Sequence, residues 1–93
     1  MATLLKTDFT MTEVQPKNGK DFTLEELQGY VGGFIQIIHS DVDDSIMVVN
    51  EEGKLCGLPE NVNATLVAIM KDMIGWLDRI VGDVIVCRSE EVK

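Results

Sequence analysis

The chain has 93 residues, the size of one small domain with a modest core, which leaves no room for a separate catalytic lobe. No apolar run approaches the roughly 20 residues that cross a bilayer, and residues 1–8 lack the pattern of a secretion signal, so we expect a soluble, cytoplasmic protein without a membrane partner. The net charge of −8 disfavours direct binding of nucleic acid, because neutralising phosphates requires clustered Lys and Arg.

The first predicted elements are two strands and a helix. Residues 3–8 and 10–15 alternate loosely in polarity, as a half-buried antiparallel pair does. After a turn, Thr23 has the type and position of a helix N-cap, and Glu26 completes a capping box three residues later. This pattern predicts a helix from Leu24 to Val31.

The buried side of this first helix is expected to contain Leu24, Leu27 and Val31. Phe22 precedes the N-cap and should pack on Leu27 as a hydrophobic staple. Gly32-Gly33 then ends the helix, because glycine readily adopts the left-handed conformation. The same glycines could cradle a phosphate, but such a loop leads into a helix. A strand follows here, so a helix stop is the favoured interpretation.

A second pair of strands is predicted over Phe34–Ile38 and Ile46–Asn50, which are rich in β-branched and apolar residues. The acidic residues 39–45 between them form the connecting loop. Their aspartates could bind calcium, but a calcium loop also needs a glycine at its sharp turn and a distal Glu. A solvated hairpin loop fits better. Residues 50–54 form a second tight turn, in which Gly53 is expected to have a positive φ.

A second helix is predicted after Asn61, and its apolar residues should face the sheet: Val62, Leu66, Ile69, Met70, Met73 and Leu77. Gly75 weakens or caps the end of this helix. A short, strongly apolar strand over Asp83–Cys87 should lie inside the sheet. The charged residues 88–93 are expected to form a mobile tail outside it.

These elements follow in the order β-β-α-β-β-α-β. Their natural packing is a mainly antiparallel sheet with both helices on one face. The sequence therefore predicts one α+β domain over residues 1–93, built as a two-layer sandwich.

Few residues carry catalytic or metal-binding chemistry. Cys56 and Cys87 are far apart and form no Cys-x-x-Cys motif, and His39 is the sole histidine. No nucleophile is paired with a base by its spacing. We expect no metal, no cofactor and no catalytic residue, and thus a binding protein rather than an enzyme.

The candidate ligand-binding residues lie at the start of the second helix. Asn61, Asn63 and Thr65 place polar side chains where free amides and the helix dipole favour an anion. Lys54 lies a short distance upstream and could add positive charge. The alternative is ordinary capping, because Asn is a common N-cap residue.

Three aromatic residues, Tyr30, Phe34 and Trp76, could supply stacking surfaces. Core packing is the favoured role for Phe34. Tyr30 and Trp76 are candidate interface residues, Trp76 because it lies at the end of an element. A homo-oligomer is expected, since so small a domain needs a subunit interface to enclose a ligand.

Three motifs carry a resemblance to a known group of proteins. They are Y-V-G-G-F-I at Tyr30–Ile35, N-E-E-G-K-L-C-G-L-P-E-N-V-N-A-T at Asn50–Thr65 and G-D-V-I-V-C at Gly82–Cys87. With them the chain resembles, from about Phe22 to Cys87, a family of small, functionally uncharacterised proteins of phages and other mobile elements. The resemblance implies a role in the conflict between phage and host, through stoichiometric binding.

Two functions then compete. The leading hypothesis is an anti-defence protein that binds and sequesters a small nucleotide signal of a bacterial immune system, without turnover. The acidic net charge counts against it. The alternative is an acidic protein that inhibits a host factor, such as a defence protein, by binding it directly; imitation of DNA is one form that this inhibition could take. The acidic residues are scattered along the sequence, which favours plain solubility over mimicry.

Overall fold

The centre of the fold is one five-stranded β-sheet. The computed structural model describes residues 2–75 and 77–92. The elements in chain order are β1 (Ala2–Leu5), β2 (Met11–Val14), α1 (Leu24–Val31), β3 (Ile35–His39), β4 (Ser45–Asn50), α2 (Val62–Met70), β5 (Val84–Arg88) and a 3₁₀ turn (Ser89–Glu91). Neither α-helix of the described residues is long and apolar enough to cross a membrane.

The strands lie side by side in the order β2-β1-β5-β4-β3, and each neighbouring pair is antiparallel. This confirms the predicted α+β fold, the element order and the antiparallel sheet. It also confirms that the last strand lies inside the sheet, between β1 and β4. β1 is shorter than predicted, because it ends at Leu5 and a tight turn over residues 6–10 leads into β2.

The two helices cover opposite faces of the sheet. On β4, Ile46 and Val48 belong to the core cluster that contains α1, whereas Met47 and Val49 belong to the cluster that contains α2. Successive side chains of a strand point to opposite faces. The expectation of both helices on one face is therefore wrong, and the layers are helix, sheet and helix. The physical reason is that four consecutive apolar residues of β4 are buried, so both faces need a cover.

α1 has the predicted bounds and caps. Thr23 Oγ1 accepts a hydrogen bond from Glu26 N at 3.2 Å, and Glu26 Oε1 accepts one from Thr23 N at 3.2 Å. At the other end, Gly32 takes the left-handed conformation with φ of 81°, and its N–H donates to Gln28 O at 2.8 Å. Both ends of the helix are thus satisfied by the residues that the sequence indicated.

The buried side of α1 agrees with the prediction at two of three positions. Leu27 and Val31 are buried, and Phe22 is fully buried in the same cluster as Leu27. Leu24 is exposed instead. Phe22 rather than Leu24 fills the core at this end of the helix, so the first turn of α1 faces solvent.

α2 is rotated relative to the prediction. Its buried side consists of small or polar residues, Ala64, Thr65 and Ala68. Leu66 and Met70 of the predicted stripe face solvent, with 55% and 80% of their surface exposed. The expectation that this stripe faces the sheet is therefore wrong for its exposed members, whereas Met73 packs partly buried against the core cluster of α2 as predicted. The exposed members are Val62, Leu66, Met70 and Leu77. Ala64 and Ala68 pack in one core cluster with Met47, Val49 and Val84 of the sheet, so the small side chains of α2 are the ones that face it.

α2 also ends earlier than the spacing predicted. Its last residue is Met70, and Asp72 takes the left-handed conformation with φ of 58°. A residue in this conformation does not continue a right-handed helix. Gly75 and Leu77 consequently lie beyond the helix, and Leu77 is exposed.

The side chain of Asn61 joins the start of α2 to the sheet. Asn61 is fully buried, and its Nδ2 donates to Leu5 O at 2.8 Å and to Gly82 O at 2.9 Å. Its Oδ1 accepts from Ala64 N at 3.0 Å, which makes it the N-cap. One amide thus satisfies a carbonyl at the end of β1, a carbonyl just before β5 and the first turn of α2.

Part of the predicted C-terminal tail belongs to the fold. Arg88 is the last residue of β5, and Val92 forms a parallel bridge with Phe22. Phe22 N donates to Glu91 O at 2.7 Å, and Val92 packs against the core cluster of α1. The segment through Val92 therefore covers the entrance to α1 rather than leaving the domain after β5.

Replacement Thr23→Ala removes the side chain that caps α1. We expect a loss of about 1 kcal/mol in the free energy of unfolding, because the N–H of Glu26 loses its acceptor. Chemical denaturation followed by circular dichroism measures this, with the exposed β2 residue Thr12→Ala as the control. Equal denaturation midpoints for the two variants would show that the capping box does not stabilise α1.

Replacement Asn61→Ala removes all three hydrogen bonds of the buried amide. We expect a loss of about 3 kcal/mol or more, since the cap is lost and two carbonyls are left without their donor. Asn63→Ala is the matched control, because Asn63 makes one long side-chain bond, of 3.5 Å to Phe9 O. Its loss should be well below 1 kcal/mol. Similar losses in both variants would contradict the role assigned to Asn61.

Candidate functional site

The residues predicted to bind a ligand at the start of α2 are largely occupied by the fold. Thr65 is buried, and its Oγ1 accepts from Ile80 N at 2.9 Å and donates to Asn61 O at 2.8 Å. The N–H groups of Ala64 and Thr65 already donate to Asn61, through its side chain and its backbone carbonyl. The structure thus gives Asn61 and Thr65 a structural role, and ligand binding by these residues stays a prediction.

The other predicted site residues lie apart from this network. The side chain of Asn63 donates to Phe9 O at the turn between β1 and β2. Tyr30 is half-buried and packs edge-on against Phe22, with ring centroids 6.4 Å apart, so it contributes to the core of α1. Trp76, the second predicted interface residue, lies outside the described residues.

Lys54 lies on the wall of a groove on the α2 side of the sheet. The groove has a volume of about 350 Å³ and is open to solvent along one side. Its floor is the sheet, through Gln36 and Ile38 of β3 and Val49 of β4. One wall is formed by Asn50, Glu51, Lys54 and Leu55, and the other by Met73, Ile74, Asp78, Arg79, Ile80 and Val81. This volume falls within the range of small-molecule sites.

An ion pair spans the two walls of the groove. Lys54 Nζ donates to Asp78 Oδ1 at 2.8 Å, and the backbone N–H of Arg79 donates to the same oxygen at 2.7 Å. The hydrogen bond from Lys54, with that from Arg79 N, holds the pKa of the Asp78 carboxyl below its usual range. Both side chains of the pair are about half exposed, so the pair itself adds little to stability. Its main consequence is that two donors converge on one anionic oxygen.

Gly53 allows the wall that carries Lys54 to lie close to the opposite wall of the groove. A Cβ atom on Gly53 would lie 2.9 Å from Val81 Cγ2, which is too close. The expected positive φ is not found at Gly53; it occurs at Gly57, with φ of 70°. The turn is longer than predicted, because Leu58 N still donates to Gly53 O at 3.0 Å. Position 53 must be glycine because a side chain there would collide with Val81. The close approach of Gly53 to Val81 places Lys54 beside the groove.

The start of α2 holds the opposite wall. Asn61 N donates to Ile80 O at 2.8 Å, and Ile80 N donates to Thr65 Oγ1. Ile80 and Val81 are therefore fixed by the same residues that the sequence singled out. Asn61 and Thr65 act as positioning residues for the wall that carries Asp78 and Arg79.

A second concavity lies at the end of α1. It has a volume of about 470 Å³ and is lined in part by Gly32, Gly33, Phe34 and Glu52. Phe34 is exposed there, so its predicted core role is wrong. The C-terminal end of a helix carries partial negative charge and Glu52 adds a full one, which disfavours an anion. The glycines act as the predicted helix stop.

The acidic loop between β3 and β4 is closed by its own hydrogen bonds and ion pairs. Asp43 Oδ2 accepts from Lys71 Nζ at 2.7 Å, which lowers the pKa of the Asp43 carboxyl. Asp44 lies 3.7 Å from the guanidinium of Arg88. Within residues 2–75 and 77–92, no three His, Cys, Asp or Glu side chains are grouped as metal ligands. The loop is organised as a hairpin connection.

The two thiols lie in different environments. Cys87 is buried in the core cluster of α1, and burial, with the charge of Glu91, raises the pKa of its thiol to about 11. This thiol stays protonated at neutral pH and is a poor nucleophile. Cys56 is exposed beside the second concavity.

Sequence reasoning missed Asp78, Arg79 and Gln36. The adjacent Asp-Arg pair carries charges in an otherwise apolar stretch, which was a weak signal. Nothing local links it to Lys54, which lies 24 residues away along the chain. Only the folded chain brings the two walls together.

Comparison with known proteins identifies a family but no characterised relative. No curated protein and no solved structure matches the chain. A family model described as "Domain of unknown function (DUF3846)" matches residues 4–93, which is nearly the whole chain. The protein therefore belongs to the DUF3846 family, whose description assigns no function.

Proposed function

We propose that the protein binds a small phosphate-bearing nucleotide in the groove of Lys54 and holds it without turnover. The observation that carries this proposal is the convergence of Lys54 Nζ and Arg79 N on one oxygen of Asp78. Ammonium and backbone N–H groups are the donors that bind phosphate oxygens in proteins. In the free protein, the Asp78 carboxylate occupies the position that a ligand anion would take.

The charge of the groove is consistent with an anionic ligand. The chain carries 16 acidic and 8 basic residues, whereas the groove lining has two of each: Lys54 and Arg79 against Glu51 and Asp78. The groove is thus less repulsive to an anion than the rest of this acidic chain. If Asp78 turns away when a ligand binds, Lys54 and Arg79 both become available.

The apolar part of the groove suits a nucleobase. Ile38 and Val49 form the floor, and Met73 and Ile74 lie on the wall before Asp78. Ligand sites typically combine such apolar surface with a few polar groups that set orientation. Gln36 and Asn50 lie at the same surface, and their side-chain amides supply donors and acceptors for hydrogen bonds to the edge of a base.

Turnover is not part of the proposal. The described lining residues include no hydroxyl, thiol or imidazole side chain that could act as a nucleophile. A bound nucleotide would therefore leave the protein intact. Stoichiometric capture also fits a domain of this size better than a closed active site does.

The biological setting of the proposal comes from the sequence motifs. Their resemblance to proteins of phages and other mobile elements suggests that the bound nucleotide is a signal of a bacterial immune system. The protein would then act in the cytoplasm of the infected cell as an anti-defence protein, by lowering the free concentration of that signal.

A second candidate function rests on one end of the sheet. Exposed acidic residues gather there, in the β3–β4 loop and after β5: Asp41, Asp43, Asp44 and Glu90. Three of them form ion pairs, Asp43 with Lys71, and Asp44 and Glu90 with Arg88. Such a surface could occupy a basic site on a host defence protein, as a DNA mimic does. Association of this kind weakens steeply as salt rises, whereas binding in a groove responds less.

The proposed capture can be observed directly. The purified protein is incubated with extract from cells whose nucleotide-signalling defence is active, washed and then denatured. Mass spectrometry of the released material should detect an intact nucleotide in amounts approaching the amount of protein. A hydrolysed product would indicate an enzyme, and the absence of any nucleotide would refute the proposal.

Opposite effects are expected from the two members of the ion pair. With the captured nucleotide in a calorimetric titration, Lys54→Ala should weaken binding by about tenfold or more, because a charge-assisted hydrogen bond is lost. Asp78→Asn should tighten binding, because the competing carboxylate is removed.

The matched controls for this titration are Lys71→Ala and Asp43→Asn. They break an ion pair of similar length, 2.7 Å, outside the groove. These variants should bind like the unmodified protein. Equal binding by all four variants would place the ligand elsewhere.

A further inference from the structure

The outward face of α2 is apolar although it lies in solvent. The nine residues of this helix include no charged side chain. Val62, Leu66 and Met70 are spaced four residues apart and form an exposed ridge opposite the buried side. A helix that is apolar on all sides is normally covered on all sides. This ridge therefore indicates that something packs on α2.

The turn between β1 and β2 adds a second, independent observation. Phe9 is 65% exposed and has a φ of 74°, a conformation that bulky residues rarely adopt. The turn is closed by Lys6 N, which donates to Thr10 O at 3.0 Å, and Asn63 Nδ2 of α2 donates to Phe9 O. A strained backbone thus holds a large ring in solvent next to the first turn of α2. Such strain is maintained chiefly where it serves a function.

Charge decides what can cover this surface. A helix that binds a membrane surface carries Lys or Arg on its polar side, and α2 has neither. A basic protein partner would be met by acidic residues, which α2 also lacks. Two copies of a chain with a net charge of −8 repel each other least at α2, which carries no acid, while Asp8 lies beside Phe9 at the rim of this surface. Among these three partners, a second copy fits this face best.

We propose that two copies of the protein pair through a dimer face made of Phe9, Val62, Leu66 and Met70. The pairing is symmetric about a two-fold axis, so the same surface of each copy contacts the other. Ridges of residues spaced by four pack into each other's grooves in the commonest type of helix contact. Leu66 is the middle residue of the ridge and lies near the axis, with Phe9 at the rim.

This pairing does not depend on the proposed ligand. Lys54, Asp78 and Arg79 are not part of the dimer face, so capture of a nucleotide and pairing can succeed or fail separately. The dimer also gives a role to the apolar stripe that the sequence pattern assigned to the core.

Analytical ultracentrifugation of the full chain tests the proposal. The unmodified protein should sediment at twice the chain mass of 10.3 kDa over a micromolar dilution series. Leu66→Glu should sediment as a monomer, because it places two carboxylates at the axis. Val42→Glu is the matched control, since Val42 is an exposed apolar residue in the loop between β3 and β4. That variant should remain a dimer.

Phe9→Gly is a second variant that tests the dimer face even if Leu66→Glu does not fold. Glycine accepts a positive φ without strain, so the denaturation midpoint of this variant measured under monomeric conditions should not fall. Loss of the ring should nevertheless raise the dissociation constant of the dimer at least several-fold. A monomeric unmodified protein would overturn the proposal, as would variants at Leu66 and Phe9 that dimerise as tightly as the Val42 control.

Discussion

The buried amide of Asn61 is the interaction on which the arrangement of this protein depends. It satisfies backbone carbonyls of Leu5 and Gly82 and caps α2, in a site closed to water. An unsatisfied polar group in such a site costs more than an exposed apolar side chain does. The orientation of α2 is therefore set by polar satisfaction. Asn61 and Thr65 must face inward, and the bulkier residues of the same helix are turned outward.

The groove is a consequence of this anchoring. Asn61 and Thr65 hold Ile80 by two short hydrogen bonds, of 2.8 and 2.9 Å, and one long one of 3.4 Å, which positions the segment that carries Asp78 and Arg79. Gly53 lets the facing turn approach Val81 without a clash. The two walls are thus placed by the fold, while the ion pair between them is exposed and weak. In the proposed binding site, a ligand would replace this exposed ion pair between walls that the fold has already positioned.

The same rotation of α2 is the basis of the proposed dimer. The residues that α2 buries against the sheet are Ala64 and Ala68, so the monomer gains little from the larger apolar residues of this helix. Leu66 and Met70 are exposed, and in the proposed dimer they would contact the second copy. A small domain has limited apolar surface to bury internally, and an apolar helix face that is unused in the monomer is available for assembly.

Local chemistry is what the sequence by itself determined. The N-cap, the capping box and the glycine stop act within a few residues, so the sequence predicted α1 with its bounds from Leu24 to Val31. The apolar composition of β5 likewise predicted that this strand lies inside the sheet. The tertiary structure decided which side of α2 is buried. Hydrophobic spacing gives no direction when both sides of a helix are apolar, and the deciding partners of Asn61 come from distant parts of the chain. The groove could not be predicted from the sequence either, because Lys54 and Asp78 come together only after the two walls have packed.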